Sequence, residues 1–250
     1  EAEFRGCVDL AGYMLDTLGL SEDVSYRFSK WDPADKEKYI GEPEAWDAAQ
    51  NKMKKILDNM EIEYETADGE AAFYGPKLDI QIRNVFGKED TLITIQIDFQ
   101  LAERFGMDYI DRNGEKKRPT IIHRTSIGCY ERTLALLIEK YAGALPMWMM
   151  PEQIRILPIS ERHLEAAAKL RAQLTAEGFR VEADTRDEKV GKKIREAQLE
   201  KIPYMLVIGD QEIADGTVAV RTRKEGDIGV QTVEQIIERM QEEVTSRRHD

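Results

Sequence analysis

Two runs of strictly alternating side chains, residues 78–83 and 92–99, restrict this chain more than any other feature. In the first, Leu78, Ile80 and Ile82 alternate with Asp79, Gln81 and Arg83; in the second, Ile93, Ile95, Ile97 and Phe99 alternate with Leu92, Thr94, Gln96 and Asp98. A period of two places like side chains on one face of a strand and scatters them around a helix. Phe86-Gly87-Lys88 between the runs predicts a turn, hence an antiparallel pair. Asn113-Gly114 repeats the device before an apolar strand at Thr120 to Ile122. The helix that follows is expected to bury Ile127, Tyr130, Leu134, Leu137 and Tyr141. Successive strands closed by helices on one side predict an α+β antiparallel sheet.

Upstream, "EAEFRGCVDLAGYMLDTLGL" enters a helix almost at once, with Val8, Ala11, Leu15 and Leu18 on one stripe. The start reads as that of a fragment beginning mid-domain. "DVSYRFSKWD" is a predicted strand, and Trp46, Ala49, Met53, Ile56 and Met60 recur at helical spacing. These stripes are core positions rather than cofactor contacts. Pro146 and Pro151 around Trp148 mark a boundary, dividing the chain into residues 1–151 and 152–250. Beyond it strands and helices alternate, which predicts a small α/β domain with a mixed sheet of about five strands.

Composition narrows the function classes. With 42% hydrophobic and 34% charged residues, and no apolar run near the ~20 residues of a membrane span, the chain is not expected to cross a bilayer. Cys7 and Cys129 form no close pair, so neither a disulfide framework nor a cysteine-based metal site is indicated, and a reducing cytoplasm fits. A net charge of -12 opposes nonspecific binding to polyanions, so any contact with nucleic acid must be local.

The polar members of the alternation share one face: Asp79 and Gln81 on one strand, Thr94, Gln96 and Asp98 on the other. Such a row either meets solvent or lines a site. "FYGPK" places Tyr74 and Lys77 around a Gly-Pro turn just before the first strand, and "IIHRTSIGCYER" places His123, Arg124 and Arg132 after the last. Cations at a strand end and a helix start suit an anionic or metal-bound ligand. The planar guanidinium of Arg132 can neutralise a polyphosphate and stack on a base; its structural alternative is a salt bridge to Glu131 or Asp98. His123 by itself is either a hydrogen-bonded core residue or one ligand of a zinc ion that needs four. In the second domain Arg186, Lys189, Lys192, Lys193, Arg195 and Lys201 form one basic stretch, and Arg221, Arg223 and Lys224 another. They make either a solvated face or a local nucleic-acid footprint, in which the interleaved Asp187 and Glu212 accept from base edges.

The segments "AAFYGPKLDIQI", "TIQIDFQLAERFGMDYID", "RPTIIHRTSIGCYERTLALLIEKYAGALP", "ADTRDEKVGKKIREAQLEKIPYMLVIGD" and "GTVAVRTR" together resemble the threonyl-tRNA synthetases, class II enzymes with a class IIa anticodon-binding domain. The resemblance implies a C-terminal fragment holding an incomplete class II catalytic core with motif 3. The parent is expected to activate threonine with ATP and Mg²⁺, to transfer it to threonine tRNA, and to work as a homodimer in the cytoplasm. It implies that Arg132, the motif 3 arginine, contacts ATP and shares a catalytic role with Lys77. Tyr74, Thr94 and Gln96 then line the threonine and adenylate site, with Gln96 also at the nucleotide. His123 matches the last of three ligands, one Cys and two His, of a zinc ion that binds the amino and hydroxyl groups of threonine. Motifs 1 and 2 and the other ligands belong to a region before Glu1, so the chain alone is expected to be inactive. Asp187, Arg195, Lys201, Glu212 and Arg221 fall where the family reads the second and third anticodon letters. Thr91 and Cys129 stand where relatives have glutamine and serine, and Asp187 and Lys201 replace asparagine and arginine. The rival readings are a noncatalytic tRNA-binding module and another class IIa enzyme, prolyl or glycyl, which "FYGPK" with "IIHR" disfavours.

Overall fold

The computed structural model describes residues 1–35 and 37–249. The chain divides into two compact units, Glu1–Lys140 and Tyr141–Asp250.

The first unit opens with helix α1 (Ala2–Thr17), which buries Phe4, Val8, Ala11 and Leu15 as its apolar stripe dictates. Strand β1 (Val24–Ser29) follows, then α2 (Pro43–Asn59), whose proline sits where a helix has an orphan N–H anyway. α2 buries Trp46, Met53, Ile56 and Leu57. Next come β2 (Glu65–Ala67), β3 (Lys77–Arg83), β4 (Glu89–Asp98) and the short α3 (Leu101–Arg104). The hairpin of β5 (Tyr109–Ile110) and β6 (Lys116–Lys117) turns at Asn113-Gly114; β7 (Ile121–Arg124) and α4 (Tyr130–Lys140) complete the unit. The main sheet has the order β2-β1-β3-β4-β7. All its pairings are antiparallel except β1 with the edge strand β2.

The register sorts the two faces. Leu78 lies opposite Ile95 and Ile80 opposite Ile93, all fully buried, each contributing about 1.5–3 kcal/mol by leaving water. On the other face Lys77 lies opposite Gln96 and Asp79 opposite Thr94. A bulge between Ile80 and Gln81 then brings Thr91, rather than Leu92, opposite Gln81, so the polar row continues past a point where strict alternation would interrupt it.

The expected face of α4 is corrected. It buries Thr133, Leu136 and Leu137, while Tyr130 and Leu134 are 76% and 53% exposed. The helix carries apolar residues on two sides, and periodicity alone cannot choose between them.

The second unit contains β8 (Ile154–Pro158), α5 (Leu164–Ala176), β9 (Val181–Ala183), α6 (Val190–Leu199), β10 (Tyr204–Ile208), α7 (Asp210–Asp215), β11 (Thr217–Thr222), β12 (Gly226–Thr232) and α8 (Val233–Ser246). Its sheet is mixed and five-stranded, in the order β12-β11-β10-β8-β9, with β8 parallel to β9 and β10 and the rest antiparallel. Residues of α5 and α8 join Ile154, Ile156, Leu206 and Val220 in the larger core. On the opposite face Ala197 and Ile194 of α6 join Leu157 and Met205.

Candidate functional site

Strand β4 is the spine of the first unit's site, and two glycines let two loops press onto it. A Cβ at Gly75 would stand 1.7 Å from the Ile97 carbonyl oxygen, and one at Gly128, where φ is +78°, would stand 2.0 Å from that of Leu92. Only glycine permits such an approach. The Tyr74-Gly75-Pro76-Lys77 turn and the Gly128 turn before α4 are thereby fixed on the same strand, at different heights.

At the first height the polar face is closed by hydrogen bonds. Asp79, 1% exposed, accepts from Ser29 Oγ (2.7 Å), Lys77 Nζ (2.7 Å) and Thr94 Oγ1 (2.9 Å). These donors compensate the cost of burying a carboxylate and hold the Lys77 ammonium in one place. The Tyr74 hydroxyl donates to Gln96 Oε1, and the Tyr74 ring lies 5.3 Å from that of His123. Burial, followed by the nearby Asp98 charge, pushes the Tyr74 phenol above its ordinary range, which keeps it a neutral donor. His123 lies opposite Gln96, and its Nε2 meets Asp98 Oδ2 at 2.8 Å. The other oxygen of the fully buried Asp98 accepts the N–H groups of Gln100 and Leu101 at 2.9 Å. Tyr74, Lys77, Thr94, Gln96 and His123 therefore form one patch.

Arg132 lies elsewhere. It is exposed on α4, its Nη1 donates to the Thr91 carbonyl at 2.6 Å, and Thr91 Oγ1 accepts from Gln81 Nε2 at 2.8 Å. The cavity of about 130 Å³ that Arg132 lines is bordered by Ile82, Asn84, Asp90 and Leu92, not by Tyr74 or Gln96. Neither suggested ion pair forms: Asp98 is engaged by His123, and Glu131 accepts from Cys129 Sγ at 2.9 Å. Arg124, opposite Ile95, falls on the other face from His123, so the cation cluster expected at the strand end is not assembled.

Among the described residues no three His, Cys, Asp or Glu side chains converge to hold a metal. His123 offers one imidazole already bonded to Asp98, and Cys129 is turned to Glu131. By themselves these residues supply no more than one ligand, His123, to a zinc ion that needs four.

In the second unit the basic stretches prove largely committed. Lys193, 3% exposed, donates to the carbonyls of Pro158 (3.2 Å) and Asp184 (2.9 Å). Arg186 pairs with Asp184 and Glu196, Lys192 with Glu188, and Arg223 donates to the carbonyls of Lys201 and Leu145. Arg195 remains exposed on α6 with no ion pair among the described residues. Arg221, opposite Met205, lies on the α6 face of the sheet, its Nη1 2.7 Å from Asp227 Oδ2. Glu212 accepts the Gly209 N–H, which fixes it at the start of α7. Asp187 is exposed between β9 and α6, whereas Lys201 follows α6 and donates to the Ala142 carbonyl. Asp187 and Lys201 thus sit beyond opposite ends of α6.

Sequence reasoning missed Ser29 and the service of Asp98 to His123. The first had no signal, because Ser29 is 50 residues from Asp79. An aspartate three residues before a helix was the available signal for the second.

Residues 1–141 match the model of the tRNA synthetase class II core domain (G, H, P, S and T), and residues 153–243 that of the anticodon binding domain. The chain belongs to the class II tRNA synthetases. It is 58% identical over 247 residues to a threonine–tRNA ligase of Clostridium botulinum (strain Eklund 17B / Type B), covering 99% of this chain and 38% of that protein. To threonine–tRNA ligase 1 of Bacillus subtilis (strain 168) it is 48% identical over 232 residues, 92% of this chain and 36% of that one. The crystal structure of the RNA binding domain of threonyl-tRNA synthetase from Cryptosporidium parvum Iowa II superposes with a TM-score of 0.86 at 33% identity, over 100% of this chain and 60% of that chain. The class II chain thus spans well under half the length of these curated relatives. No helix among the described residues is long and apolar enough to cross a membrane.

Proposed function

We propose that this chain comprises the second part of the catalytic domain, residues 1–151, and the anticodon-binding domain, residues 152–250, of a threonine–tRNA ligase. One observation carries the reading: a half-buried, hydrogen-bonded row, centred on the buried Asp79, joins Tyr74 to Gln96 and Lys77 through Asp79 to Thr94, with His123 against it. In the parent, a homodimer of the cytoplasm, the threonine carboxylate attacks the α-phosphorus of ATP, releasing pyrophosphate with its Mg²⁺. The threonyl group then passes from the adenylate to the terminal ribose of threonine tRNA.

Such a displacement needs positioning and neutralised charge more than covalent participation by the protein. Tyr74, Thr94 and Gln96 supply donors and acceptors to a small amino acid. The Lys77 ammonium, held by Asp79, supplies charge to the adenylate phosphate. Arg132 keeps its planar face and remaining donors open to a nucleotide while anchored at Thr91. The curated relatives are more than twice as long as this chain, so the purified chain alone is expected to give background threonine-dependent ATP–pyrophosphate exchange; robust exchange contradicts that division of labour.

For the second unit we assign anticodon reading to Asp187, Arg195, Lys201, Glu212 and Arg221. Arg195→Ala is expected to weaken binding of threonine tRNA more than binding of a tRNA with an altered anticodon. Equal losses would make Arg195 a phosphate contact.

A further inference from the structure

Helix α7 has no buried residue, although it carries Glu212. A six-residue helix without an apolar anchor needs some other tether if its side chains are to stand in one place. The tether lies in the turn after β8. His163 is 3% exposed and sits one residue before α5. The Ser160 N–H donates to its Nδ1 at 3.2 Å, so Nδ1 is the acceptor and the ring proton resides on Nε2. That proton points to Asp210 Oδ1, 3.1 Å away, on the first residue of α7. Arg162 engages the other oxygen of Asp210 from the same turn. The hydrogen bond from His163, ahead of the Arg162 charge, holds the Asp210 carboxyl below its ordinary range. Two residues further on, Glu212 closes back on Gly209.

We propose that His163 is a positioning residue for RNA recognition: a buried imidazole that, through Asp210, fixes α7 and so aims Glu212. The inference rests on the anticodon reading of Glu212. Arg162 is 70% exposed in its side chain, so the pair it makes with Asp210 is solvent-screened, whereas the His163 ring is buried. The buried ring supplies the geometry and Arg162 only adds charge.

The test uses the full chain and a threonine tRNA transcript, with affinity read by fluorescence anisotropy and α7 order by amide hydrogen exchange. His163→Leu keeps the volume but removes both ring nitrogens, and is expected to weaken binding about tenfold, the scale of one lost charged contact, and to accelerate exchange in α7. His163→Gln, which can still donate to Asp210, restores most of the affinity. On a Glu212→Ala background His163→Leu costs nothing further, a coupling that a general loss of stability would not produce. Should His163→Leu fail to fold, the exposed Asp210→Ala removes the acceptor without touching the core and is expected to show the same coupling to Glu212. Loss of affinity in Glu212→Ala beside native affinity in the His163 and Asp210 variants overturns the proposal alone. Native affinity in Glu212→Ala overturns the anticodon reading of that residue and the proposal with it.

Discussion

Replacing Asp79 by alanine should be the most costly polar substitution in the first unit. The carboxylate is 1% exposed and takes three donors, from Ser29, Lys77 and Thr94. Removing one member of a buried ion pair costs about 3–5 kcal/mol, because the other charge is left uncompensated. Lys77 keeps 21% of its side chain exposed and can turn partly to water, which argues for the lower end. The stranded Ser29 and Thr94 hydroxyls argue back toward the upper end. The expected cost is about 3–4 kcal/mol, a large fraction of the ~5–15 kcal/mol that holds a domain folded. Asp79→Asn, which retains an acceptor, should cost about half as much. The assay is urea unfolding followed by tryptophan fluorescence in a Trp148→Phe background. Trp31 and Trp46 then report on the first unit alone. The background is mild, since the Trp148 indole N–H has no partner among the described residues. Asp68→Ala, which breaks the exposed pair with Lys30, is the control and should cost at most about 0.5 kcal/mol. If Asp79→Ala costs no more than that control, Asp79 does not organise the polar face, and the placement of Lys77 needs another cause.

Gly75→Ala and Gly128→Ala each drive a methyl group into a β4 carbonyl and should cost more than about 3 kcal/mol or prevent folding, whereas Gly87→Ala, with the same φ of +78° as Gly128 but nothing within 4 Å, should cost about 1–2 kcal/mol in the same unfolding assay. In the second unit the hydrogen bond from Arg186 holds the Asp184 carboxyl below its ordinary range. A lowered folded-state value means that this contribution is complete above the unfolded carboxylate value of about 3.9 and disappears as pH falls through the folded one. The thermal midpoint of the second unit should therefore drop below about pH 4, and less steeply in Asp184→Asn; identical acid profiles would remove Asp184 from the account.

The legibility of this chain follows the range of the interactions. Alternation exposed β3 and β4 because a period of two is local, and the Phe86-Gly87-Lys88 turn joined them as an antiparallel pair. The strand–helix succession beyond Pro151 gave the mixed five-stranded sheet in the same way. What escaped was set by register and by competition between faces. The bulge at Ile80 and Gln81 decides that Thr91 joins the polar row, and from there Thr91 takes Arg132 by its carbonyl. The period cannot reveal a bulge. Arg124 adjoins His123 in sequence, yet adjacent strand residues face opposite ways. α4 shows the second limit, since Thr133 and Leu136 are buried while Tyr130 and Leu134 are exposed, a choice that the helical period leaves open. In the second unit a basic composition concealed how many cations were already spent on carboxylates and carbonyls.

The central claim is that this polypeptide reads the anticodon of threonine tRNA through its second unit. The most direct measurement is the equilibrium affinity of the unmodified chain for that tRNA and for the same tRNA changed only at its second or third anticodon letter, at one fixed salt concentration. Each change is expected to weaken binding about tenfold, in line with the ~1–3 kcal/mol carried by a base contact. Equal affinities across the three RNAs would contradict the claim.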